Sequence, residues 1–197
     1  MTPVQTAADR GREVRLRLLG SAAELIVERG WTGVSTRILA ERAGVAPGLV
    51  HYHFSSLQAL LRDAALGMIS DLFCTVESLF ENAPTLDAGV QLMLGSLDVY
   101  TGTDPTSLLF TETYLAATRD ETLRNDLSVL ITEFRRQLTQ WLIERGASNP
   151  RNTAAVLAAA IDGVMLHRAF DPDLTSSIVA PVLRRLISSG ATPPTNA

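Results

Sequence analysis

Residues 36–55 read TRILAERAGVAPGLVHYHFS, and their spacing decides the fold. Thr36 to Ala43 has the make-up of a short helix. Gly44 stands where the chain must turn sharply, a conformation glycine adopts without steric cost. Val45 is expected to follow as a buried apolar residue. Pro47 can open a second helix, because the amide it lacks has no partner at that position. Counted from Thr36, a small residue (Ala40) falls fifth, Gly44 ninth, Val45 tenth and Val50 fifteenth. Ala40 then lets the two helices cross closely while Val50 plugs the angle between them. This is the helix-turn-helix pattern, whose second helix lies in the DNA major groove.

The rest of the composition is compatible with that reading. The chain has 197 residues, 46% hydrophobic and 19% charged, and a net charge of −4. Residues 1–60 hold seven Arg against five acidic residues, whereas residues 61–197 hold ten against sixteen. A basic head on an acidic body suits a protein whose N-terminal end meets phosphate. Every cation is Arg; the chain contains no Lys, which we read as a bias of genome composition. No apolar run is long enough to span a membrane, and the start MTPVQTAADRGRE lacks the apolar core of a signal peptide. The single cysteine, Cys74, excludes an internal disulfide. A cytoplasmic location is expected.

Along the chain, start and stop signals mark about nine helices and no strand-like alternation. Residues 1–9 read as a disordered lead. A helix is expected from about Arg10 to Arg29, with Val14, Leu18, Ala22 and Leu25 on one face. Arg10, Arg12, Arg15 and Arg17 crowd its first turns, as a solvated face or as contacts to a DNA backbone. Gly30 stops this helix, Trp31 can fold back over the head's core, and Ser35 or Thr36 caps the next helix. Ser55 and Gln58 read as a capping box for a long helix reaching about Phe80. Further helices are expected over about 86–100, 105–118, 120–146, 150–170 and 175–189, with cap-plus-proline starts at Asp104-Pro105 and Asn149-Pro150. Residues 191–197 read as a disordered tail. The organisation predicted is all-α: a helix-turn-helix head over 10–55 and a larger helical effector-binding and dimerisation body over 56–190.

Residues 10–66 taken together resemble the DNA-binding head of the TetR family of transcriptional regulators. The resemblance rests on AELIVERGWTGVS and TRILAERAGVAPGLVHYHFSSLQALL, above all on Ala40 to Val45 and on the run His51-Tyr52-His53-Phe54. It implies a homodimer that binds a palindromic operator on double-stranded DNA, usually as a repressor released by a small molecule. It also implies DNA contacts at Thr36, Arg37, Pro47, Gly48, Leu49, His51, Tyr52 and His53, with Phe54 in the core. Arg37 is suited to a bidentate contact with guanine and Leu49 to a thymine methyl. Two positions depart from the family pattern. Leu57 stands where a phosphate-contacting Lys is common, and Ala46 replaces the hydroxyl residue that usually caps the recognition helix.

The helix at 150–170 is apolar or small almost all round, so it must be buried on most faces. It is either a core helix of a monomer or part of a four-helix bundle formed with the last helix and a two-fold mate. The second reading puts Ala155, Ala158, Ala159, Asp162, Gly163, Leu166, Val182 and Leu186 at a dimer interface. An effector of unknown identity, apolar by the character of the lining, would meet Met68, Phe73, Met93, Tyr100, Phe110, Tyr114, Trp141, Met165 and His167. His167 alternatively reads as a buried, hydrogen-bonded structural residue. His51 and His53 are two apart on a helix and point away from each other, so no metal and no cofactor is expected. No nucleophile–base pair or phosphate-cradling loop is present in the sequence, and an enzyme is not expected. The alternative from another class is a helical ligand-binding or scaffold protein without DNA readout.

Overall fold

A computed structural model describes residues 6–81 and 83–188 of the chain. Among them every regular element is helical: α1 (Ala7–Arg29), α2 (Thr36–Ala43), α3 (Pro47–His53), α4 (Leu57–Glu81), α5 (Leu86–Ser96), α6 (Pro105–Ala117), α7 (Glu121–Glu144), α8 (Pro150–His167) and α9 (Ser176–Ser188), with 3₁₀ turns at Trp31–Gly33 and Leu97–Val99. The chain divides into two compact units, Met1–Ile69 with Leu108–Arg124 and Ser70–Ser107 with Asn125–Ala197. This division differs from the boundary expected after residue 55. Leu60, Leu61, Ala64 and Ala65 on the first turns of α4 are buried, and the first unit keeps them.

In the first unit α1 packs on α2 and α2 on α3. The core is Leu18, Ala22, Leu25 and Ile26 from α1, with Leu39, Ala40 and Val50, all essentially inaccessible to solvent. Trp31 folds back over this core. Its backbone amide donates to Glu112 Oε2 (2.9 Å) and its indole N–H to Gln58 Oε1 (3.0 Å). In the second unit α5 packs on α9. Trp141 lies so close to Gly89 that a Cβ there would sit 2.1 Å from the indole ring.

Several boundaries differ from the sequence reading, each for a local reason. Residues 6–9 are not a lead: Thr6 and Asp9 form a reciprocal capping box that starts α1 at Ala7. Residues 1–5, and the tail expected over 191–197, lie outside the described residues. Ser56, not Ser55, caps α4, its hydroxyl accepting the Ala59 amide at 3.0 Å, while Gln58 turns to the Trp31 indole instead of closing a capping box. The α5 helix ends at Ser96 and tightens into a 3₁₀ turn. Asn149 adopts a left-handed conformation (φ 51°) and makes no cap hydrogen bond, so Pro150 alone marks the start of α8. Val45 is half-buried rather than buried. The α9 helix runs through Pro181, whose missing amide leaves one carbonyl without its helical donor.

Candidate nucleic-acid interface

The Ser35 hydroxyl accepts the Ile38 amide at the start of α2. At its end Gly44 sits at φ 65°, ψ 38°, where L-residues with a Cβ are strained. The Gly44 amide donates to Glu41 O (3.2 Å) and the Val45 amide to Ala40 O (3.0 Å). These two bonds form a Schellman turn and satisfy the last carbonyls of the helix. The chain leaves this turn extended at Ala46, which makes no side-chain cap bond, and enters α3 through Pro47. Val50 is fully buried beneath α3, so the opposite face is held outward.

That outward face carries Pro47, Gly48, Leu49, His51 and Tyr52, all exposed. Tyr52 is 81% exposed, a value that core packing cannot explain. Its ring meets His53 edge-on at 5.0 Å, and His53 is half-buried. On α2, Arg37 is exposed and Thr36 half-buried. The Arg37 side chain makes no ion pair among the described residues. The predicted contact residues Arg37, Pro47, Gly48, Leu49, His51 and Tyr52 therefore share exposure on two consecutive short helices.

Two arginines hold these helices on α1, and sequence reasoning assigned neither role. Arg15 donates to Asp63 Oδ2 (2.8 Å) and to the His53 carbonyl (3.5 Å), with its guanidinium 4.3 Å from the centre of the Phe54 ring. It thus ties α1 to the end of α3 and to α4. Arg42 donates two bonds to Glu28 (2.6 and 2.8 Å) and one to Glu24 (3.1 Å), tying α2 to α1. The Arg42 hydrogen bonds hold the Glu28 carboxyl below the usual range. Arg12 pairs with Asp9 on its own helix. Of the four arginines early in α1, Arg10 and Arg17 have no partner among the described residues and are exposed.

The expected effector residues fall in both units. In the first, Met68 and Tyr114 are half-buried and Phe110 is buried, with the Phe110 and Tyr114 rings 4.5 Å apart. In the second, Met93, Trp141 and Met165 are buried and Phe73 and Tyr100 half-buried; Phe73 stacks on Phe134 at 4.6 Å. His167 is exposed, which corrects the buried reading: it lies in the last turn of α8 on the solvent side. The buried residue there is its neighbour Arg168, which donates to the Asp98 carboxylate and to the carbonyls of Leu97, Tyr100 (3.2 Å) and Leu174 (2.8 Å). Asp98 also accepts the Ser176 amide (2.9 Å) and hydroxyl. Burial alone would raise the Asp98 carboxyl; the Ser176 and Arg168 hydrogen bonds overcome it and hold it below its ordinary value.

Of the expected dimer residues, Ala158 is buried inside its own unit, a correction to its place on a surface. Ala159, Leu166 and Val182 are exposed, and Ala155, Asp162 and Gly163 are half-buried. The Leu186 side chain lies outside the described residues. Among the described residues no group of three or more His, Cys, Asp or Glu side chains converges to hold a metal ion. None of the described helices is long and apolar enough to cross a membrane.

Two family models match the chain: "Bacterial regulatory proteins, tetR family" over residues 18–64, and "Tetracyclin repressor-like, C-terminal domain" over residues 84–189. The chain is 32% identical to the HTH-type transcriptional repressor KstR2 of Rhodococcus jostii, in an alignment that spans only half of each chain (50% and 50%). It is 24% identical to an uncharacterized HTH-type transcriptional regulator of Mycobacterium tuberculosis, across 94% of this chain and 98% of that protein. Among solved structures, a transcriptional regulator from Rhodococcus sp. Rha1 superposes with a TM-score of 0.78 at 22% identity, covering 91% and 99% of the two chains. FadR from Bacillus subtilis, solved in complex with stearoyl-CoA, superposes with a TM-score of 0.71 at 19% identity over 88% and 97%. These likenesses show the fold.

Proposed function

Because the chain belongs to the TetR family of bacterial regulatory proteins, we propose that it is a homodimeric repressor of a palindromic operator, released by a small apolar ligand. Regulators of this family are DNA-binding proteins and generally not enzymes. The observation that carries the reading is the outward face of α3, buried on one side at Val50 and open on the other at Leu49, His51 and Tyr52. Arg37 adds a guanidinium free to pair with guanine. Thr36 and His53 complete the set at the margins. Residues 10–55 form the reading head in this proposal and residues 56–190 the effector-binding and dimerisation body, acting in the cytoplasm.

A dimer presents its two recognition helices to successive major grooves, about 34–36 Å apart. Ligand bound among the apolar residues of the body shifts the chain to a state whose half-site spacing no longer fits, and affinity for the operator falls. The long helix α4, which begins in the first unit and ends in the second, is the element proposed to carry that change. FadR of B. subtilis, of similar fold, was solved in complex with stearoyl-CoA; the long acyl chain of that ligand supports an apolar portion in the ligand proposed here. Leu57 offers no charge where a phosphate contact is usual in the family, so in this reading the α4 N-terminus alone meets that phosphate.

Gel-shift binding to the DNA upstream of its own gene, at two salt concentrations, tests the reading. Saturable binding of a dimer to one palindrome, weakening steeply with salt, is the expected result. The absence of specific binding both there and in a genome-wide selection for bound fragments would leave a helical ligand-binding protein without DNA readout.

A further inference from the structure

We propose that a cleft lined by α7 and α8 is a binding site for a small phosphorylated ligand, separate from the apolar effector site. The cleft encloses about 570 Å³ and is lined by Thr132, Arg135, Arg136 and Gln140 from α7 and by Arg151 and Asn152 from α8. That volume is in the range of small-molecule and cofactor sites, about 300–1,000 Å³.

The charge of the second unit makes this lining unusual. It holds twelve acidic residues and seven arginines, and five of the arginines are engaged within the chain. Arg136 pairs with Glu133, Arg145 with the Ala83 carbonyl, Arg168 with Asp98 and Arg184 with Asp87. Arg185 is engaged as well. The two whose side chains have no partner among the described residues are Arg135 and Arg151, and both line this one cleft. Two unpaired cations facing one groove give it a locally positive potential within an otherwise acidic unit, and that favours an anion there.

A phosphoryl group is the chemistry that fits. Two guanidinium forks match its charge and its oxygens, as they do not match a single point anion. Thr132 and Asn152 supply neutral donors for the remaining oxygens. Two neighbours are already committed: the Gln140 amide donates to Glu144, and Arg136 is neutralised by Glu133. The recognition is therefore assigned to Arg135 and Arg151. Arg151 and Asn152 stand in the first turn of α8, where the positive end of the helix adds to the charge they present.

Titration calorimetry of the full chain with inorganic pyrophosphate, at about 50 mM and about 200 mM salt, tests this assignment. The expected result is saturable binding of one pyrophosphate per chain. The double substitution Arg135→Gln and Arg151→Gln should weaken it at least about tenfold, with each single substitution intermediate. Arg119→Gln, which removes an exposed arginine of the other unit, should leave it unchanged. Thermal melts that coincide for all five proteins show that folding is not the cause. Equal heats from all variants, or none from the native chain, would mean diffuse charge and overturn the site. If the double variant instead loses affinity for an arbitrary DNA duplex while pyrophosphate binding is unaltered, the groove contacts nucleic acid and the small-ligand assignment falls. Failure to bind an operator bears only on the repressor reading, because no step of this titration uses DNA.

Discussion

At Arg15 one guanidinium touches three groups: the carboxylate of Asp63 on α4, the carbonyl of His53 that ends α3, and the face of Phe54. The Asp63 pair is about two-fifths exposed on each side, so the pair and the ring contact together contribute only about 1 kcal/mol. Arg15→Ala should therefore lower stability by about that amount while displacing the recognition helix. Operator affinity is expected to fall with the salt slope unchanged, whereas loss of a true phosphate contact would reduce the slope by about 0.9. A slope that falls with Arg15→Ala would make Arg15 a DNA contact instead. Arg37→Ala gives the opposite pattern: no loss of stability, because the side chain has no partner, and affinity lower by about 1–3 kcal/mol at one base pair. The letter R alone does not separate these roles. The exposure of Arg37 was legible from its place in the motif, but the carboxylate partners of Arg15, Arg42 and Arg168 lie 14 to 70 residues away, and only the fold brings them together. For the same reason the sequence pointed to His167 while the buried group is Arg168.

Elements were more legible, because caps and turns are local. Gly44, Pro47, Asp104 and Gly146 mark boundaries that the fold uses. The misses are of the same local kind: Ser55 and Ser56 offer the same hydroxyl one residue apart, and Thr6-x-x-Asp9 is a capping box read as a lead. Gly44→Ala tests how far the motif depends on its turn. The left-handed conformation costs an alanine about 1–2 kcal/mol, so a drop in Tm of roughly 2–8 °C is expected by calorimetry, with the loss of operator affinity exceeding the loss of folded protein. The clasp at Asp98 is an element-scale feature too, since it joins the 3₁₀ turn after α5 to the start of α9. Its folded pKa lies below the unfolded value of about 3.9. Its stabilisation is therefore complete above that value and is lost as pH falls through the folded pKa. Between about pH 5 and pH 3 the native chain should lose more Tm than Asp98→Asn, which has no charge to lose there. Parallel curves would show that the clasp contributes no charge-dependent stability.

At the scale of the whole molecule the surface of α8 and α9 matters most. Leu166 is 46% exposed and Val182 54% exposed, and Val156 and Ile178 are exposed on the same two helices. The composition of α8 predicts burial on most faces, and Ala154, Leu157, Ala158, Ile161, Val164 and Met165 are buried within one chain. What remains open is a set of larger apolar residues that a lone chain leaves in water, where each buried aliphatic side chain would gain about 1.5–3 kcal/mol. A two-fold interface uses the same patch on both copies, so a single substitution acts twice. Val182→Glu places two carboxylates against that patch without touching the core of either unit. If the chain forms the proposed homodimer, light scattering should report the mass of two chains for the native protein and of one for the variant. Operator affinity should fall by about a hundredfold or more, because binding the second half-site is no longer intramolecular. Circular dichroism should keep its helical amplitude, since Val182 is exposed in the single chain. A dimer that survives Val182→Glu would remove α9 from the interface and move the search to α8 alone.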